Sequence, residues 1–116
     1  MDYYKLAIAC MFFLCGQTSV WFGTNSQLVW KWWADKPLTA SILFGLPAAI
    51  FFWYGTKYAF QAMDELWGPR FLVFGMSYVS FPILTWWLMN ESMFTAKTMV
   101  CVLLSFVIMA IQVLWR

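Results

Sequence analysis

No histidine occurs anywhere in the 116 residues, and aspartate, glutamate, lysine and arginine together make up only 10%. The first absence removes the commonest general base, the commonest metal ligand and any imidazole proton relay. The second is far from the roughly 25% charged residues of an average soluble domain. Cysteine is sparse as well. Cys10, Cys15 and Cys101 each lie inside an apolar run, with no zinc-motif spacing and no even count for a disulfide framework. They are expected to act as small packing residues. A net charge of +2, spread along the chain, is too small and too dispersed to suggest nucleic-acid binding, and no such partner is expected. No nucleophile–base pair or metal-ligand cluster can be assembled, so the expectation is no enzymatic activity, no metal and no cofactor.

What remains is apolar surface. At 64% hydrophobic residues, a domain this small could not hide its apolar side chains from water, and the expected solvent is the lipid bilayer. Charge is missing from Leu6 to Trp30, Leu38 to Thr56, Phe71 to Asn90 and Thr98 to Trp115. Crossing ~30 Å of hydrocarbon takes about 20 helical residues, and each run is close to that. Closed barrels are the other spanning solution, but their strands alternate polar and apolar residues and these runs do not. The fold class expected is therefore all-α: one membrane domain over residues 1–116, a four-transmembrane-helix bundle with helices near 4–31, 38–60, 68–89 and 94–115. The run after Lys5 is too long for a signal-peptide core and ends in no A-x-A site, so it is expected to remain as the first span.

The connections carry turn chemistry. Lys31 to Pro37 is a polar, aromatic turn with Pro37 suited to the first position of a helix. Lys57 to Arg70, with Asp64, Glu65, Gly68 and Pro69, reads as a loop. Asn90-Glu91-Ser92 breaks the last hairpin, and Thr95 is placed to cap the fourth helix. Trp30, Trp32, Trp33, Trp67, Trp86, Trp87 and Trp115 crowd these ends, as anchors at the headgroups do. With four spans, Lys5, Lys57, Arg70 and Arg116 share one side, and Lys31, Lys36 and Lys97 the other. That small difference leaves two readings open. The termini are cytoplasmic, or insertion occurs both ways, as a dual-topology antiparallel dimer requires.

Polar groups inside the spans are few and patterned. At 100° per residue, Gln17, Trp21 and Thr24 share one line of the first helix, with Thr18 and Asn25 beside it. Amides facing lipid are costly, so this stripe should face the bundle interior or a partner subunit. It either lines a substrate pathway or serves as interhelical glue, worth ~0.6 kcal/mol per hydrogen bond. On the fourth helix, Thr98, Cys101, Ser105 and Gln112 form a seam of small and polar residues suited to helix–helix contact, including a dimer interface. Gly45 and Pro47 in the second span, and Gly75, Ser77, Ser80 and Pro82 in the third, mark places where a helix can bend. No Asp, Glu, Lys or Arg lies at mid-membrane depth, where a proton or ion pathway would place one. Lys57 and Glu91 are the nearest, as boundary charges at the interfaces.

From Ile83 to Leu114 the chain resembles the small multidrug resistance proteins of the drug/metabolite transporter superfamily. Leu84-Thr85-Trp86 leads into Asn90-Glu91, standing where many members have Gly-Glu, and Thr95 to Leu114 follows as the fourth helix. Over the first two-thirds the likeness is one of span layout. The resemblance implies an antiparallel homodimer in a bacterial inner membrane, with fourth helices in contact and the first three lining a substrate chamber. The membrane-embedded glutamate with which that family couples export to protons is absent; Phe12 to Thr18 offers Gln17 and Thr18 instead. A chamber of this kind would be neutral and aromatic, suited to a polar uncharged or weakly charged solute. Two functions compete on these grounds: a small dimeric transporter or facilitator, and a non-transporting accessory subunit of a larger membrane complex. The 22% aromatic share suits the second.

Overall fold

The computed structural model describes residues 2–92 and 94–115. Arg116, counted above on the terminal side, lies outside them. Four long helices make up the chain: α1 (Tyr3–Val29), α2 (Pro37–Met63), α3 (Trp67–Met89) and α4 (Ala96–Leu114). All four are long and apolar enough to cross a membrane. Exposed Leu103, Leu104, Val107, Ile111 and Leu114 on α4 alone would make an aggregation-prone patch in water. In hydrocarbon they are ordinary, and the chain is an integral membrane protein.

Helix ends follow local chemistry. The Asp2 carboxylate accepts from the backbone N–H groups of Tyr4 and Lys5 at 3.1 and 3.3 Å, capping α1. Pro37 opens α2 at its first turn, where its missing N–H costs nothing. Asp64 and Asn90 end α2 and α3 in the left-handed region, both at φ 57°, a conformation that short polar side chains tolerate. Thr95 occupies the cap position of α4, but its hydroxyl donates to the Thr98 hydroxyl at 2.9 Å and bonds no backbone amide.

The connections differ from expectation in two places. The loop expected from Lys57 to Arg70 shrinks to Asp64–Leu66, because α2 runs on to Met63 and α3 begins at Trp67. Both cations sit on helices at the interface. Lys57 snorkels over the Trp53 ring at 5.8 Å, a way to keep charge at the headgroups without ending a helix. α1 stops at Val29, and Lys31–Trp33 forms a single 3₁₀ turn before α2.

Small residues set the packing. The buried positions of α2 are Ala40, Ala48, Gly55, Ala59, Ala62 and Met63, five of them alanine or glycine. α1 presents Ala9, Phe13 and Gly16 to this surface. With no hydrophobic effect operating between helices in lipid, close backbone approach supplies the attraction. The approach is tight at Gly55, where an added Cβ would lie 2.5 Å from the Phe13 ring, and at Gly16, where it would lie 2.8 Å from Phe52. α1 also packs on α3, and α4 packs chiefly on α3.

The order α2–α1–α3–α4 produces a flat molecule of 47 × 35 × 18 Å. α2 also meets α3, to which a three-residue turn joins it. The four spans form an open array with one broad face along α1 and α3.

Candidate functional site

The polar stripe of α1 lies on a groove against α3. Its hydroxyls bond within their own helix: Thr18 donates to the Leu14 carbonyl at 2.8 Å and Thr24 to that of Val20 at 2.9 Å. That back-bonding satisfies a hydroxyl in lipid without a partner helix. The amides behave differently. Gln17 Nε2 donates across to the backbone carbonyl of Val73 on α3 at 3.1 Å. Asn25, half-buried, finds no hydrogen-bond partner among the described residues. Trp21, 3% exposed, donates its indole N–H to the Thr85 hydroxyl on α3 at 3.0 Å.

Four adjoining cavities follow this stripe. Two open on the terminal side. One is about 420 Å³, between Gln17, Trp67, Arg70, Phe74, Ser77 and Ile108. The other is about 530 Å³, between Gln17, Phe52, Thr56, Leu66, Arg70 and Val73. Gln17 is common to both and to a third, smaller cavity of about 210 Å³ lined by Trp21, Thr24, Asn25, Ser77 and Ser80. Thr24 in turn lines a fourth, of about 450 Å³, on the far side with Ser26, Gln27, Lys36 and Ser41. Gln17 and Thr24 therefore stand where one space meets the next, from the Arg70 end of α3 to the Lys36 end of α2.

The structure brings Gln17, Trp21, Thr24 and Asn25 together on this groove. Thr18 lines none of these four cavities. Sequence reasoning passed over Arg70 and Thr85, and assigned Ser77 and Ser80 only to backbone repair beside Pro82. In fact Ser77 donates to Phe74 O at 2.6 Å and also faces the groove. The available signal was the spacing of Ser77, Ser80 and Thr85 on α3, a second polar line to match that of α1.

The α4 seam turns toward α3. Ser105 is buried and donates to the Cys101 carbonyl at 2.8 Å. Gln112 donates to the Glu65 carboxylate at 3.3 Å, and Thr98 lines a cavity of about 230 Å³ with Tyr78, Phe81, Thr85 and Glu91. Cys101 is exposed on the outer side. Of the four seam residues, Ser105 is buried, Gln112 reaches the turn between α2 and α3, and Thr98 borders a cavity shared with α3. The boundary charges Lys57 and Glu91 are exposed, and neither lines a cavity with Gln17.

Fold and groove define a class: a four-span integral membrane protein with a one-sided polar groove. Compared with family models, curated proteins and solved structures, the chain matches none.

Proposed function

We propose that the protein is a small transporter-like membrane protein that passes a small polar or weakly charged solute along the α1–α3 groove, working as a dimer. The observation that carries this reading is the run of cavities meeting at Gln17 and Thr24, with the Asn25 amide lining the space between them. In the single chain the groove is open, with Thr24, Thr56 and Arg70 exposed. A second copy laid over the open face would close the groove and shield exposed Thr24, Thr56 and half-buried Asn25 from lipid. The near balance of lysine and arginine between the two sides supports antiparallel pairing, as does the likeness to small multidrug resistance proteins, which also suggests a bacterial inner membrane. Buried hydroxyls and amides can then replace the water around a solute.

The test is flux of small polar solutes, neutral and charged, in proteoliposomes. Gln17→Leu and Asn25→Leu should each lower flux several-fold while the mass in mild detergent stays at twice 13.6 kDa. Unchanged flux in both variants rejects the groove. Stoichiometric co-purification with unrelated subunits, and no flux from the purified chain, would assign it instead as an accessory subunit.

A further inference from the structure

We infer that the groove selects small organic anions, because Arg70 stands at one mouth, Lys36 at the other, and no carboxylate lines the cavities between them. The inference rests on the groove reading above and names its solute class. Arg70 lines both terminal-side cavities, at the start of α3 among Leu66, Trp67 and Pro69. Lys36 lines the far-side cavity. Its ammonium group is fixed there by donating to the Trp32 carbonyl at 2.8 Å and by lying 4.3 Å above the Trp32 ring.

The carboxylates are placed elsewhere. Among the described residues, no aspartate or glutamate lines any of the four cavities. Asp35 is 3.3 Å from Lys36 Nζ, but its side chain is 84% exposed and lies outside the far-side lining, where of the pair only Lys36 is placed. Asp64 and Glu65 stand in the turn before α3 and keep their charge, Glu65 accepting from Gln112 at 3.3 Å, but neither lines the cavities. Glu91 lines a further cavity between α3 and α4, which borders the groove at Phe81 but reaches none of its polar donors. Between the two cations the groove offers neutral groups that donate: the amides of Gln17 and Asn25 and the hydroxyls of Thr24, Ser77 and Ser80. Charge of one sign at the mouths of a low-dielectric cleft focuses potential along it and concentrates the opposite ion. A cation would meet Arg70 or Lys36 in the cavity wall at each end and find no carboxylate lining the space between.

Three labelled probes of similar size separate the possibilities in vesicles of phosphatidylcholine, which carries no net charge to compete for Arg70. They are isethionate, a permanent anion; choline, a permanent cation; and erythritol, neutral. Isethionate should enter roughly ten-fold faster than choline, with erythritol between them. Arg70→Gln and Lys36→Gln should each cut isethionate flux roughly three- to ten-fold and erythritol flux by a much smaller factor, and Arg70→Lys should restore isethionate. Retained erythritol flux also shows that each variant is folded and inserted. Choline or erythritol matching isethionate, or isethionate indifferent to Arg70→Gln, overturns anion selection while the groove reading stands. If none of the three probes crosses faster than in protein-free vesicles, both fall.

Discussion

At the scale of single residues, the groove depends on a few cross-helix hydrogen bonds. Trp21 and Thr85 share one that is buried on both sides. Removing the hydroxyl in Thr85→Val leaves an indole N–H with no acceptor, and burying such a donor unpaired costs about 1–3 kcal/mol. Trp21→Phe removes the donor and leaves the hydroxyl. Both singles should melt several degrees lower by circular dichroism in nanodiscs, and the double variant should lose little more than the worse single. Fully additive losses would show that the bond contributes nothing. The position of Trp21 on the polar line was legible, because helical spacing fixes which side chains share a face. Its partner was not, because Thr85 lies 64 residues away on another helix and spacing is silent about which helices meet. Arg70 was overlooked for a related reason. A cation near a turn reads as a boundary charge until the cavity beside it is visible.

Helices are the next scale. The four spans were legible because lipid excludes charge, so uncharged runs measure the bilayer almost directly. Turn lengths were less legible. Lys57 and Arg70 mark where charge is tolerated, and a lysine or arginine on a helix can reach water by snorkelling; hence the loop read between them is mostly helix. The α4 seam was expected to meet another helix, and a stripe of small residues does not say whose helix. Ser105 is buried within the chain, Gln112 reaches Glu65 in the α2–α3 turn, and Cys101 is exposed. The glycines allow a direct comparison. Gly55→Ala pushes a methyl into the Phe13 ring, which is 0% exposed and has nowhere to move. Overpacking of this type costs about 1–3 kcal/mol. Gly45→Ala meets nothing within 4 Å and replaces the poorest ordinary helix former with the best, a gain of up to about 1 kcal/mol. Thermal unfolding in the same nanodiscs should separate the two in opposite directions. If Gly55→Ala were neutral, the tight α1–α2 seam would not be what joins those helices.

Across the whole molecule, the unusual property is flatness. A closed bundle of four helices would hide its polar line in the middle, whereas this array carries it on one broad face. Thr24 and Ile42 are both exposed, and each lies about one and a half helical turns from the far-side end of its helix. By depth alone they meet the same surroundings. By the groove reading they do not: Thr24 faces a water-holding cavity covered by a second copy, while Ile42 faces acyl chains. Maleimides react with the thiolate, which forms only where water reaches the sulfur. In a background with Cys10, Cys15 and Cys101 replaced by alanine, Thr24→Cys should label with a membrane-impermeant maleimide in intact proteoliposomes, and Ile42→Cys should not. Arg70→Gln at the opposite mouth should leave that labelling unchanged, since it alters charge and not access to water. Equal labelling of the two cysteines, or none at Thr24→Cys, would mean that lipid covers the open face. The polar line of α1 would then be packing chemistry alone, with Gln17 and Trp21 holding α3 in place.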